Sequence, residues 1–266
     1  MSTLGRLLDS NRSITVLTGA GVSTASGIPD YRDEKGDWKA STPIQYAEFA
    51  GSEDARRRYW ARSYVGWQRF GQAQPNAAHH SLAKLEAAGK IDTLITQNVD
   101  RLHSRAGSER VIDLHGDLSR VRCIDCDATT TRADFQLRIE KSNADWHARV
   151  FEYRPDGDAE LADASYADFS VPGCTACGGR MKPDVVMFGE NVPMDRVAEA
   201  MAAVDRADAL LVVGSSLMVY SGFRFARRAH ETGKPIAIVN RGTTRADELA
   251  ALKVEADCAE ALQPVI

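Results

Sequence analysis

Four of the five cysteines form two pairs, Cys123-x2-Cys126 and Cys174-x2-Cys177. Thiolates at this spacing suit a tetrahedral zinc ion, with two knuckles approaching from separate loops. Four thiolates leave no open coordination position, so the expected ion is structural rather than catalytic. A thioredoxin-like reading accounts for one pair and leaves the second unexplained. The odd cysteine count and the paired spacing also argue against a disulfide scaffold. Residues 127–173 separate the pairs, a stretch longer than a compact zinc ribbon needs, which predicts an excursion between the knuckles.

Three polar turns could hold a dinucleotide. Gly19-Ala20-Gly21, opening Gly19–Gly27, follows the short β-branched run Ile14–Thr18. Glycines after a strand let backbone amides approach a pyrophosphate, although the third glycine departs from GxGxxG spacing and a plain strand-to-helix turn is an alternative. No GK[ST] follows, which excludes a Walker loop. Gly214-Ser215-Ser216 and Asn240-Arg241-Gly242 end two later strand-like runs, and Asn240 offers a polar side chain to a ribose hydroxyl. A fourth polar run, Thr96 to His103, contains Gln97, Asn98 and Asp100, and Leu114-His115-Gly116 follows. His115, beside a glycine at a strand end, is the candidate general base. His79, His80, His103, His147 and His230 read as capping or buried hydrogen-bonded histidines.

These groups need a scaffold that gathers strand ends. Strand-like runs at 14–18, 93–96, 111–114, 209–214 and 235–240 alternate with helical patterns at 78–88, 223–232 and near Cys258. That alternation predicts an α/β fold, a Rossmann-like parallel sheet with helices on both faces, and ligands at the carboxyl ends of the strands. Cysteines, glycines and charges replace apolar runs after Leu118, which predicts a small inserted zinc-ribbon module. The expected division is 1–117 with 183–266 for the Rossmann-like dinucleotide-binding part, including a cofactor loop and helical segment at about 24–75, and 118–182 for the zinc module.

The chain has 266 residues and a net charge of −4 from 33 basic and 37 acidic residues. That length supports a buried core without disulfides or oligomers, and a monomer is expected. The field sign disfavours direct nucleic-acid or membrane binding. The N-terminus lacks a secretory pattern, and the longest aliphatic run, Ala209–Val213, cannot span a bilayer. A soluble, cytoplasmic protein is expected.

Together the motifs closely resemble the sirtuin family: GAGVSTASGIPDYR at 19–32, TQNVD at 96–100, HG at 115–116, the four cysteines, KPDVVMFGE at 182–190, GSSLMVYS at 214–221 and VNRG at 239–242. Tyr59-Trp60-Ala61-Arg62, Pro155-Asp156-Gly157-Asp158 and Tyr31 resemble the class II branch, which includes a mitochondrial lipoamidase and ADP-ribosyltransferase. The chain looks like a bacterial relative.

The resemblance implies an NAD-dependent protein lysine deacylase that consumes NAD and acts on acyl-lysine proteins or peptides. By matching positions, Gly19, Ala20 and Gly21 would bind pyrophosphate, within a loop that includes Pro29 and Asp30 and is ordered by Arg32. Ile28 and Asp100 would hold the nicotinamide amide, and Gln97 and Asn98 the nicotinamide ribose. Gly214, Ser215, Ser216, Asn240, Arg241, Gly242 and Cys258 would line the adenosine side. Tyr31 would shield the reactive sugar from water, and His115 would act as base, with Asn98 and Asp100 completing the catalytic set.

The resemblance also implies a peptide added as a strand between Gly189-Glu190 and the segment carrying Leu217 and Val219. Val186, Met187 and Phe188 would form the acyl-channel wall, where a pliable methionine suits a longer chain. Tyr59 and Arg62 echo the YxxR pair with which desuccinylating sirtuins grip a carboxylate; the other reading is a solvated face within Arg56–Tyr59. The competing functions are protein mono-ADP-ribosyltransfer, a non-catalytic NAD-sensing zinc protein, and a zinc oxidoreductase.

Overall fold

The computed structural model describes residues 3–39, 43–162 and 165–263. In chain order its strands are β1 (Ile14–Thr18), β2 (Ile91–Thr96), β3 (Val111–Asp113), β4 (Gly116–Cys123), β5 (Thr129–Thr131), β6 (Arg149–Tyr153), β7 (Ala159–Ala162), β8 (Met181–Val185), β9 (Ala209–Val213), β10 (Ile236–Val239) and β11 (Leu252–Val254). The α-helices are α1 (Thr3–Ser10), α2 (Tyr46–Gly51), α3 (Glu53–Phe70), α4 (Ala77–Ala87), α5 (Leu102–Arg105), α6 (Arg132–Ser142), α7 (Met194–Arg206), α8 (Tyr220–Glu231) and α9 (Cys258–Leu262). The chain divides into two compact units, Met1–Ser41 with Gln74–Leu114 and Val192–Ile266, and Thr42–Ala73 with His115–Asn191.

In the first unit six parallel strands run in the order β11-β10-β9-β1-β2-β3. β1 lies between β2 and β9, and all five of its residues are buried, as are all five of β9. A parallel strand covered on both faces is mostly apolar, as β9 is; β1 also buries Thr15 and Thr18, whose hydroxyls donate to Ala203 O and Thr96 Oγ1. Connections from β1 pass to β2 on one side and the chain returns to β9 on the other, so β1 and β9 flank the crevice where such sheets bind ligands. Leu4, Leu82, Leu94, Leu211 and Val239 belong to the unit's core. α4 is sharply bounded: Asn76 and His79 form a reciprocal capping box, and Gly89 ends it at φ +75°.

The second unit holds the antiparallel sheet β5-β4-β8 and the hairpin β6-β7. It also takes in α2 and α3, which the sequence reading left with the sheet, and its boundaries fall at 115 and 191 rather than 118 and 182. The reason is aromatic packing. Phe49 and Trp60 share a core with Val121, Phe135, Phe169 and Met181, and the Trp60 indole donates to Met181 O at 2.9 Å. Fully burying each such aromatic contributes about 2–3 kcal/mol, which commits both helices to this unit. Among the described residues no helix is long and apolar enough to cross a membrane.

Candidate active site

In the sheet unit the functional residues gather at the carboxyl ends of β1, β2, β9 and β10. The loop after β1 is a short 3-10 helix, Ala20–Ser26. Gly19 N–H donates to Val213 O, and Gly21 N–H donates to Gly214 O at 2.8 Å. A Cβ on Gly21 would come within 2.9 Å of Gly214 O, and one on Gly214 (φ +61°) within 2.4 Å of Val22 N. These glycines therefore let two loops touch, and their amides are already committed. A phosphate in this crevice must use other donors, of which Ala20 N–H is the one named by the motif.

Beneath that loop lies a dense polar network. Asn98 Nδ2 donates to Gly19 O at 3.1 Å and to Ser23 Oγ at 3.0 Å, and Ser23 donates to Asp100 Oδ2 at 2.7 Å. Leu102 N–H donates to Asp100 Oδ1 at 2.9 Å, with Arg101 between them in the left-handed region at φ 63°. Burial raises the Asp100 carboxyl above the usual range, opposed by these donors. Both hydrogen-bond donors are neutral, and the Arg105 charge adds to the pull against burial.

Two buried histidines support the network. His79 Nδ1 accepts from Asn76 N–H, so the neutral ring carries its proton on Nε2, 3.5 Å from Ser23 Oγ. Burial lowers its pKa to about 4, with His80 adding to the shift. His103 Nε2 is 2.9 Å from Thr18 Oγ1, which donates to Thr96 Oγ1; that oxygen also accepts from Asn98 N–H. The side chains of Asn98 and Asp100 are thus aimed by residues from β1, β2 and α4. Ser23 and His79 were missed as site residues, although Ser23 sits inside the motif quoted for the loop.

The remaining cofactor candidates fall on the same edge. Ser215 donates to Gln97 Oε1 at 2.6 Å, and its Oγ also accepts from Leu217 N–H. Leu217 is buried in the left-handed region at φ 55°, a strained conformation of the kind concentrated at binding sites. Asn240 follows β10 and donates to Arg241 O, and Cys258 Sγ lies 3.9 Å from Gly21 O. Burial raises the Cys258 thiol to about 12, which keeps it neutral and unreactive. Arg32 donates to Gly36 O and stacks 4.1 Å over Trp38, a residue the sequence reading passed over; Ile28 is buried nearby in sequence.

In the second unit His115 opens the chain before β4, and its carbonyl accepts from Val186 N–H at 2.7 Å. Gly116 is at φ +91°, and a Cβ there would lie 2.2 Å from Asp184 O. Only glycine permits β4 to run this close to β8, which ties the HG dipeptide to the KPDVV strand. Lys182, nearly buried, pairs with Glu190 at 3.0 Å, and Glu190 accepts from Met187 N–H at 2.9 Å. This clamp shapes the turn through Phe188 and Gly189. The Met187 side chain is buried in the unit's core.

Tyr59 and Arg62 hold different posts from those expected. Arg62 pairs with Asp158 at 3.1 Å and Glu160 at 3.2 Å and donates to Ala159 O. The Tyr59 ring is buried edge-on to Phe49 and Trp60. Arg62 ties α3 to the excursion containing Pro155–Asp158, and Tyr59 packs in the aromatic core, so neither lies on a solvated face.

The four cysteine sulfurs lie within 4.8 Å of one another, with Cys123–Cys177 at 3.6 Å and Cys126–Cys174 at 3.7 Å. Sulfurs at 2.3 Å from a tetrahedral zinc stand about 3.8 Å apart. The cluster fits one zinc ion with a closed shell. Backbone amides of Asp125, Ala176 and Gly179 point at Cys123, Cys174 and Cys177 sulfurs, which stabilises thiolate charge.

Comparison with known proteins agrees with this geometry. The Sir2 family model matches residues 19–221. An NAD-dependent protein deacetylase of Xanthomonas axonopodis pv. citri is 56% identical over 260 residues, 98% of this chain and 89% of the relative. A solved Sir2 structure with a p53 peptide and NAD+ superposes with TM-score 0.79 at 34% identity, covering 100% of this chain and 96% of that one. Another, of Sir2Tm bound to a propionylated peptide, gives 0.78 at 35%, covering 98% and 94%. The chain belongs to the Sir2 family, the sirtuins.

Proposed function

We propose that this protein is an NAD-dependent protein lysine deacylase that yields free lysine, nicotinamide and O-acyl-ADP-ribose. The Ser23–Asn98–Asp100 network at the ends of β1 and β2 is the observation that carries the reading. It presents an aimed amide and a carboxylate held by neutral donors, which an NAD sensor would not need.

NAD supplies the electrophilic ribose carbon and the nicotinamide leaving group. Ile28 and Asp100 hold the nicotinamide amide, and Gln97 and Asn98 hold its ribose. Ala20 N–H faces the pyrophosphate, while Ser215, Asn240 and Gly242 line the adenosine side. Tyr31, on the loop braced by Arg32 and Trp38, keeps water from the sugar. His115 takes protons from the ribose hydroxyls as general base.

The acyl-lysine peptide lies as an added strand along Ser216–Val219, its backbone bonds giving sequence-tolerant affinity. Because Arg62 is neutralised by Asp158 and Glu160, we assign the enzyme neutral acyl groups, acetyl and somewhat longer, rather than carboxylated ones. The excursion carrying Pro155–Asp158 supports a place in the class II branch. Four thiols that must stay reduced to hold zinc favour a cytoplasmic enzyme.

The test is nicotinamide release from NAD with acetyl-, lipoyl-, succinyl- and glutaryl-lysine peptides, comparing the wild type with His115→Ala. Peptide-dependent release that falls about 10²–10⁴-fold in the variant supports the assignment. NAD binding without peptide-dependent release from any substrate would remove it, in favour of ADP-ribosyltransfer or sensing.

A further inference from the structure

α8 begins at Tyr220, directly after Val219, and both residues are exposed. Three guanidiniums stand over the Tyr220 ring: Arg224 at 5.2 Å, Arg227 at 5.5 Å and Arg245 at 5.9 Å. Arg245 also lies 4.4 Å over Phe223. Cations are attracted to an aromatic face, but three of them around one ring repel each other and remain only partly compensated.

Neighbouring arginines on the same helix are treated differently. Arg228 makes a two-pronged contact with Asp205, and Arg227 has Glu231 at 3.4 Å. Among the described residues no ion pair engages Arg224 or Arg245, and Arg224 Nε is buried without a hydrogen-bond partner. Arg245 is joined to the strand-receiving segment itself: its N–H donates to Ser216 O at 2.9 Å and its side chain reaches Met218 O at 3.4 Å. A concentrated positive patch therefore borders Ser216–Val219 on a chain whose net charge is −4.

We infer that Arg224 and Arg245, arrayed on Tyr220 and Phe223, form a docking surface for acidic residues flanking the acyl-lysine of the substrate polypeptide. This rests on the deacylase reading, which lays the peptide along Ser216–Val219. Guanidiniums recognise carboxylates through paired N–H donors, and a strand added beside Arg245 would carry its flanking side chains past them. Nucleic acid fits less well: the Tyr220 face is covered by guanidiniums, so no base can stack on it, and the rest of the chain is acidic.

The experiment measures KM and kcat by nicotinamide release for acetyl-lysine peptides flanked by acidic, neutral or basic residues. It uses wild type, Arg245→Gln, Arg224→Gln and the double variant, at low and at high salt. The acidic peptide should show a KM roughly five- to tenfold below the neutral one at low salt, the size expected of partly exposed charge pairs. That advantage should vanish in the double variant and shrink at high salt, with kcat and the KM for NAD unchanged. Arg245 is exposed, so its single variant carries the result if the half-buried Arg224 proves structural by its melting temperature.

Equal KM values across the flanks in wild type, or a preference that survives in the double variant, would overturn the inference. So would a raised KM for NAD, or arginine-dependent binding of a labelled single-stranded DNA without any flank preference. If no peptide is turned over, the deacylase reading fails by itself, and anisotropy of the same labelled acidic and neutral peptides decides the docking surface: tighter, arginine-dependent binding of the acidic one sustains it, and equal binding ends it.

Discussion

Each unit holds a carboxylate away from water, Asp100 partly and Asp158 almost wholly, and the two are held by different kinds of partner. In the sheet unit Asp100 is held by the Ser23 hydroxyl and the Leu102 amide, both neutral. Burial raises its pKa, and the Arg105 charge opposes that shift only after these hydrogen bonds. In the second unit Asp158 faces Arg62, which also takes Glu160, while Arg154 pairs with Glu160 at 3.0 Å. Burial and the adjacent Asp156 push the Asp158 carboxyl well above the usual range, and Arg62 is the main force pulling it back. Neutral hydrogen-bond donors hold Asp100, whereas a guanidinium in direct contact holds Asp158.

Zinc sharpens that contrast most. Structural zinc binding is worth on the order of 10 kcal/mol in small modules. Chelation should therefore unfold the β4–β5–β8 region while leaving the sheet's amides protected, as hydrogen exchange would show; equal loss of protection in both units would break the comparison. Next in size is Arg62→Ala. It strands Asp158 and Asp156 in a buried setting and should cost about 3–5 kcal/mol in urea unfolding. Acyl preference among folded molecules should stay the same, and a selective loss of succinyl over acetyl turnover would restore the carboxylate grip.

Asp100→Asn is the mirror experiment. It keeps the shape and removes the charge, so kcat should fall about 10²-fold with little change in melting temperature. The smallest effect concerns the histidine beneath the network. The His79 pKa is lowered from 6.5 to about 4, so its stabilising contribution is complete above about pH 6.5 and is lost as pH falls towards 4. Unfolding at pH 8 and pH 5 should differ by about 2 kcal/mol on this account, and His79→Gln should remove that part of the slope.

The legible features were those encoded locally. Ile14–Thr18 declared a buried parallel strand through its β-branched residues and Ala209–Val213 through an unbroken apolar run, and the cysteine pairs declared their cluster through spacing. His103 and His79, set aside as buried hydrogen-bonded histidines, are buried and bonded as expected. Arg62 is the instructive case. Its motif suggested a ligand contact, but no local pattern reveals that Asp158 and Glu160, almost a hundred residues later, will neutralise it.

From its sequence alone this protein determined β1, β2, β3, β9 and β10 of its parallel sheet, its cysteine cluster, its glycine turns and its family, because periodicity, coordination spacing and turn chemistry act over a few residues. Tertiary structure alone decided that Ser23 joins Asp100, that Gly21 must meet Gly214, that α2 and α3 pack with the cysteine-bearing unit, and that Arg224 and Arg245 crowd around Tyr220 with no ion pair among the described residues. Those pairings depend on how buried charge and volume are balanced between distant segments, and only the folded chain brings those segments within reach.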